Sequence, residues 1–252
     1  MNFDDQVVLI TGASRGIGRS VAQAFSKAGA SVAVHYNNGK LAAQDTFKTL
    51  NRGNHSIFQA DISQPNEAKT LVSDVISKMG TIDVLVNNAG IFENHAVPGT
   101  NYKEWQQSWQ RALGVNLIGA ANITFCVVEH MMQRNRGKIV NISSRGAFRG
   151  EPEAPAYGAS KAGLNSFSQS MAQSLAPHNI FVYVVAPGFV QTEMVTELLS
   201  GPDGESIQKQ SPLGRVATTD EVANTVLFLA SEGTDYLTGC IVDVNGASYL
   251  RT

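Results

Sequence analysis

Seven short runs rich in valine and isoleucine alternate with longer amphipathic stretches along the whole chain, and that alternation leaves few architectures open. The runs are Val7–Ile10, Ser31–Tyr36, Ser56–Gln59, Ile82–Val86, Gly137–Ile142, Ile180–Val185 and Ile241–Val244. Between them, helical spacing of apolar residues predicts helices over 16–28, 40–51, 66–79, 102–134, 156–176 and 219–231. Strands this apolar need cover on both faces, and helix-length connections supply it through right-handed crossovers. The expected fold class is therefore α/β, a doubly wound parallel sheet of about seven strands with helices on both faces. No low-complexity linker or internal repeat divides the chain, so one domain over residues 1–252 is expected. Residues 188–215 break the pattern. Gly201, Pro202, Gly204 and Pro212 there predict a mobile excursion able to act as a lid.

Composition narrows the function classes. A net charge of −2 with 16% charged residues and no basic stripe gives nucleic acid nothing to hold. The start, "MNFDDQVVLITG", is acidic where a secretory leader would be basic, and no run approaches the ~18 apolar residues of a membrane helix. A cytoplasmic protein is expected. Cys126 and Cys240 lie far apart with no CxxC, which predicts two buried thiols in a reducing compartment. His35, His55, His95, His130 and His178 show no ligand spacing, and no metal site is expected.

The first strand runs into "TGASRGIGRSVAQAF", whose glycines fall as Gly12-x-x-x-Gly16-x-Gly18. This departs from the G-x-G-x-x-G dinucleotide fingerprint, but the physics is shared. Gly12 permits a turn off the strand, and Gly16 and Gly18 let backbone amides and the following helix approach a pyrophosphate. A Rossmann-like nucleotide site follows, with Gly12, Ser14, Arg15, Gly16, Ile17 and Gly18 in its turn. In such a fold, an acidic residue ending the second strand bonds the ribose 2′-hydroxyl and repels a 2′-phosphate. Here that strand ends "VAVHYNNG", placing Tyr36 and Asn37 there with no carboxylate, while Arg15 offers a cation. NADP(H) is the expected cofactor, with NAD(H) possible.

A second stretch, "AYGASKAG", sets Tyr157 and Lys161 four residues apart among very small side chains. On a helix they share one face, roughly 5–6 Å apart at Cβ. Alone, such a pair is an ordinary surface contact. Beside a nicotinamide it is chemistry: carbonyl reduction needs hydride on carbon and a proton on oxygen. An ammonium about 4 Å from the phenol would stabilise the phenolate by roughly 4 kcal/mol at an effective dielectric near 20. That would bring a group that normally titrates near 10 toward working pH, as general acid–base catalysis requires.

With both stretches read, the chain resembles the short-chain dehydrogenase/reductase family. Further matches are "VNNAG" (Val86–Gly90), "GVNLIG" (Gly114–Gly119), "KIVNISS" (Lys138–Ser144), "VVAPGFVQTEM" (Val184–Met194) and "YLTGCIVDVNGA" (Tyr236–Ala247), in the family's order and spacing. Within the family it looks most like the 3-oxoacyl-[acyl-carrier-protein] reductases and the neighbouring sugar or polyol dehydrogenases. The resemblance implies a catalytic tetrad of Asn116, Ser144, Tyr157 and Lys161. Tyr157 acts as general acid, Ser144 as hydrogen-bond donor to the carbonyl oxygen, and Lys161 grips the nicotinamide ribose. Asn116 holds a water that relays protons to Lys161. It also implies that Asp61 and Ile62 flank the adenine, and that Asn88, Ala89 and Gly90 border the ribose. Pro187, Gly188, Val190 and Thr192 hold the nicotinamide end.

The substrate end is less legible. Ser144, Tyr157 and Phe189 are expected to touch substrate, with Arg145, Phe148, Glu151, Glu153 and residues 91–95 around them. The expected substrate is a 3-oxoacyl thioester or other small carbonyl, on an acyl-carrier protein or coenzyme A. In the carrier-linked reductases, basic residues dock the acidic carrier. Here Arg134 and Arg136 bracket the relevant turn, but Asn135 and His178 stand where arginines are expected, and the acidic "EPE" at 151–153 opposes docking. A sugar, polyol or secondary-alcohol dehydrogenase is the alternative enzyme. A non-catalytic NADP(H)-binding regulator is the alternative outside enzymes, disfavoured because all four tetrad residues are present. Apolar and small residues in 102–134, 156–176 and "CIVDV" exceed what covering a sheet needs, and a homotetramer built as a dimer of dimers is expected.

Overall fold

The computed structural model describes residues 1–251, apart from the side chains of Met194 and Glu197. Seven parallel strands form one sheet: β1 (Val7–Ile10), β2 (Ser31–Tyr36), β3 (Ser56–Gln59), β4 (Val84–Asn87), β5 (Gly137–Ile142), β6 (Ile180–Pro187) and β7 (Ile241–Val244). Their order in space is β3-β2-β1-β4-β5-β6-β7. The chain thus winds outward in one direction from β1 and in the other from β4, and the α/β expectation holds.

Side-chain alternation divides the sheet into two cores. Val8 and Ile10 face α1 (Gly16–Lys27), joined there by Val21, Phe25, Val32, Val140 and Val185. Val7 and Leu9 face the other layer with α3 (Pro65–Met79), among Leu71, Val75, Leu85, Ile139 and Val182. Each such buried aliphatic side chain contributes about 1.5–3 kcal/mol. Between these helices lies α2 (Lys40–Lys48), which packs on β2 and β3.

One helix was expected over 102–134. The structure has α4 (Tyr102–Leu113), a π-helical turn at Gly114–Gly119, then α5 (Ala120–Arg134). The start of α4 is fixed by a capping box between Asn101 and Glu104. By length and composition Tyr102–Arg134 is apolar enough to cross a membrane, contrary to the sequence reading. Here it lies on the sheet, with Ile123, Val127 and Met131 fully buried. The remaining helices are α6 (Gly146–Arg149), α7 (Pro155–Leu175), α8 (Glu193–Ser200), α9 (Gly204–Lys209) and α10 (Thr219–Ala230). Residues 188–215 therefore carry two short helices, α8 and α9. The excursion is closed at its base where Val190 bridges Ala217 and Gln191 N–H donates to Ala217 O at 2.8 Å. Both cysteines are half-buried rather than fully enclosed.

At the amino ends of the strands, Asp83 gathers three donors. Its carboxylate accepts Val7 N–H at 2.9 Å, Arg134 at 2.8 Å and Arg136 at 3.2 Å. The Asp83 main chain also joins both neighbours, its N–H donating to Val7 O at 2.9 Å and its O accepting Lys138 N–H at 3.1 Å. Removing one member of a buried ionic cluster leaves uncompensated charge, at a cost of about 3 kcal/mol. Asp83→Asn is expected to lower the urea midpoint accordingly while leaving turnover per folded molecule unchanged, since the opposite end of the sheet carries the site.

Candidate active site

The winding direction reverses between β1 and β4, and open α/β sheets bind ligands at the carboxyl ends of strands flanking such a reversal. Here the two loops leaving those strands are knitted together. Thr11 Oγ accepts the amides of Asn88 and Ala89, each at 3.0 Å. Asn88 Nδ2 donates to Thr11 O at 2.9 Å and Gly12 O at 3.0 Å. Gly12 has φ +65°, and a Cβ there would stand 2.9 Å from Ala89 Cα. On the far side, Gly12 N–H donates to His35 Nδ1 at 3.0 Å, so the imidazole proton sits on Nε2, facing Ala60 O at 3.0 Å. Burial drives the His35 pKa down to about 4, which keeps that tautomer through the neutral range.

The glycine turn then delivers the amino end of α1 into the crevice. Arg15 is its exposed N-cap residue in extended conformation, and no acidic residue lies in the first turn. A Cβ on Gly18 would collide with Gly12 O and Asn88 Nδ2, so only glycine lets the helix come this close. Unpaired amides at a helix start with a positive dipole end fit a pyrophosphate. Ser14 and Ile17 are half-buried in the same turn. Across it, Thr192 Cγ2 would be 3.2 Å from a Cβ on Gly16, so the base of residues 188–215 closes over the glycine turn.

Not every residue named from the sequence faces the crevice by its side chain. Tyr36 is 6% exposed, and its ring belongs to the core; Asn37 beside it is exposed. Asp61 holds Ser63 through its carboxylate, with Ser63 Oγ at 2.7 Å. Ile62 packs beneath Gly119. Pro187 and Gly188 end β6, where Gly188 N–H donates to Val244 O at 3.0 Å, and Val190 is buried.

The four expected tetrad positions come from three elements: Asn116 and Lys161 meet beside Gly90, and the Ser144 hydroxyl bonds the Tyr157 phenol. Ser144 follows β5, Tyr157 and Lys161 lie one turn apart on α7, and Asn116 sits in the π-helical turn. A Cβ on Gly90 would be 3.4 Å from both Asn116 Oδ1 and Lys161 Nζ, so these two groups converge on one spot. Asn116 is held by Ile91 N–H to its Oδ1 at 2.8 Å and by its own Nδ2 donating to Ile91 O and Ser160 Oγ at 3.0 Å each. Ser160 Oγ donates to Tyr157 O at 2.7 Å, linking the π turn to α7. Phe92 meets the Tyr157 ring edge-on at 5.0 Å. His95 is 3% exposed and accepts Ala156 N–H at 3.1 Å, which fixes the start of α7.

The electrostatics differ from the sequence expectation. Lys161 does not lower the phenol here. Its Nζ stands 5.8 Å from the Tyr157 ring centre and donates to Ile142 O at 2.7 Å. Burial raises the Tyr157 pKa above its ordinary value; the Ser144 hydroxyl pulls it back, and the Glu151 charge adds to the rise. Burial also brings Lys161 down to about 8. The phenol therefore keeps its proton at neutral pH, ready to donate it.

Comparison with known proteins agrees with this geometry. A family model described as enoyl-(acyl carrier protein) reductase matches residues 12–247. The chain is 37% identical over 244 residues to the 3-oxoacyl-[acyl-carrier-protein] reductase FabG of Staphylococcus aureus, covering 96% of this chain and 97% of that one. To the protein of the same name from Escherichia coli K12 it is 35% identical over 252 residues, covering 99% and 100%. The chain belongs to the short-chain dehydrogenase/reductase family. It is an oxidoreductase acting on CH–OH and C=O groups.

Around this dehydrogenase/reductase core, the substrate side is mixed. Phe189 lies over the Arg145 guanidinium at 4.8 Å, and Glu93 pairs with Arg111 at 2.8 Å. Arg134 and Arg136 are engaged by Asp83 at the amino end of the sheet, away from Tyr157. Thr11, His35, His95 and Ser160 carry the site's scaffolding; the sequence places His95 among residues around the substrate and Ser160 among the small residues beside Tyr157, without this role. Only His35 had a sequence signal, a polar residue inside an apolar strand.

Lys161 carries its proton below about 8 and loses it above. On the role the family resemblance gives Lys161, a donor to the nicotinamide ribose, NADPH affinity followed by fluorescence titration is expected to weaken as pH rises through that value. In Lys161→Met, binding should be weaker throughout and flat across the same range.

Proposed function

We propose that this protein uses NADPH to reduce a ketone, of the 3-oxoacyl thioester kind or a similar small carbonyl, to a secondary alcohol. The observation that carries the reading is that Lys161 Nζ and Asn116 Oδ1 stand beside Gly90, in the same crevice as the glycine turn, while Tyr157, one turn from Lys161 on α7, is hydrogen-bonded to Ser144. Reduced nicotinamide supplies the hydride. Tyr157 donates its phenolic proton to the carbonyl oxygen as negative charge grows there, and Ser144 Oγ–H donates a second hydrogen bond to the same oxygen. Lys161, protonated below about 8, supplies positive charge behind the phenol and a route for its reprotonation. The Asn116 side chain is spent on Ile91 and Ser160. A relay water at this position is accordingly assigned to its main chain within the π turn.

A preference for NADP(H) over NAD(H) rests on exposed Arg15 and Asn37 at the turn and the end of β2, with no carboxylate at Tyr36 or Asn37. The family model is named for a C=C reductase and the relatives for 3-oxoacyl reduction. Two hydroxyl donors aimed at one oxygen favour the C=O reaction. For the thioester carrier, the ion pairs of Arg134 and Arg136 and exposed Glu153 support coenzyme A or a free small ketone at least as well as an acidic protein. Residues 188–215 are read as the lid over this substrate, in a single catalytic domain working in the cytoplasm.

Tyr157→Phe is expected to keep NADPH binding and lower turnover on a ketone panel by roughly 10²–10⁴-fold. Ser144→Ala should cost about 10²–10³-fold, in kcat more than in KM. A panel of 3-oxoacyl thioesters, enoyl thioesters, sugars and simple ketones, scored by loss of NADPH absorbance, decides the substrate class. Near-normal turnover in Tyr157→Phe overturns the mechanism.

Assembly as a homotetramer is supported by an apolar stripe along the π turn and α5. Ile118, Phe125 and Met132 recur every seventh residue and are 50%, 66% and 42% exposed. A second patch adjoins edge strand β7, with Phe228 on α10 and Leu237 beside it. Sedimentation of the wild type should give four copies, and Phe125→Glu should give a smaller species.

A further inference from the structure

Arg145 follows Ser144 directly, and its guanidinium reaches Ser248, Gln210 and Phe189 at the lid. It is only 4% exposed. Its partners are neutral: Ser248 Oγ at 2.6 Å, Gln210 Oε1, and the face of Phe189. No carboxylate of the described residues lies within 4.0 Å of it, and Glu151 acts on it only from farther off. A guanidinium has five donors and keeps its charge at any ordinary pH, so a buried one with two neutral acceptors is short of partners.

Beside it lies a cavity of about 140 Å³, between α9 and the carboxyl ends of β6 and β7. Its other charged groups each have an ion-pair partner, although Asp243 Oδ1 is buried without a hydrogen bond. Arg215 pairs with Glu221 at 2.7 Å, and Asp243 with Arg251 at 2.7 Å. Among the described residues, Arg145 is the charged group on the wall that has no ion-pair partner. Ile207, Leu213, Val216 and Val244 give the lining its apolar part.

We propose that this cavity binds a small carboxylate with a short apolar tail, its charge received by Arg145 and its tail by the wall formed by Ile207, Leu213 and Val216. The carboxylate replaces the missing acidic partner of the buried guanidinium. Because Gln210 and Ser211 also line the cavity, an occupant ties the lid segment to β6 and to the loop at Ser248. Neither Ser144 nor Tyr157 lines the cavity, while Phe189, expected from sequence to touch substrate, and the lid residues Ile207 and Leu213 do, so it adjoins the carbonyl site on the lid side.

The test is thermal unfolding of the full chain with NADPH bound, titrated with hexanoate and with the isosteric neutral hexanamide. Hexanoate should raise the melting temperature saturably and hexanamide should not. Arg145→Gln should weaken the hexanoate response by roughly tenfold or more in half-saturating concentration. Should Arg145→Gln fail to fold, Ser248→Asp keeps the proposal open to refutation. It places a carboxylate on the guanidinium from within, so it should raise the melting temperature by itself and abolish the response. An equal effect of hexanamide, no effect of hexanoate, or a response surviving Ser248→Asp overturns the proposal. None of these readouts needs turnover, so failure here is distinguishable from failure of the ketone-reductase reading.

Discussion

The close approach of two loop backbones, Gly12 after β1 and Ala89 after β4, is the constraint on which this site depends. It needs a residue without Cβ at φ +65°, and it is held by Thr11 and Asn88 bonding across the gap. That contact sets the depth of the crevice at the reversal of the sheet. It aims the start of α1 inward and sets Gly90 against Asn116 and Lys161. A wider separation would move the pyrophosphate end of the crevice relative to the carbonyl end. Hydride transfer tolerates little such error, since reacting atoms must lie within about 3–3.5 Å.

Burial tunes the chemistry more than charge pairing does. Lys161 and Tyr157 share a helix face, but each answers first to desolvation: the lysine falls to about 8 and the phenol rises. Pairing across one helical turn suggested the opposite sign for the tyrosine. The difference arises because a buried ammonium that donates to Ile142 O is spread over a main-chain partner and held off the phenol. In a reductase this direction is useful, because the proton to be donated stays on the acid until the carbonyl oxygen becomes basic.

The same accounting separates the two ends of the sheet. At the amino end one carboxylate, Asp83, bonds both Arg134 and Arg136, leaving that cluster one positive charge in excess. At the carboxyl end Arg145 is buried without a carboxylate, beside a polar and apolar cavity. One chain thus has arginines that look equivalent in sequence but are satisfied in one place and left short in another.

What was legible in sequence was whatever has a local period or a local steric rule. Strand and helix positions followed from alternation and from spacing of apolar residues, and most boundaries agree to within a residue or two. The glycine turn was legible because only glycine fits there, and the Tyr157–Lys161 pair because four residues make one helical turn. The π-helical break at Gly114–Gly119 was not, since apolar spacing runs through it; it coincides with the bonds of Asn116 to Ile91 and Ser160, partners remote in sequence. Nor was the core placement of Tyr36, the neutral anchoring role of His35, or the short supply of partners around Arg145. Local sequence determined the elements and the reactive residue types. Only the tertiary fold decided their protonation and satisfaction, because burial and long-range hydrogen bonds are set by what packs against a residue, not by what precedes it.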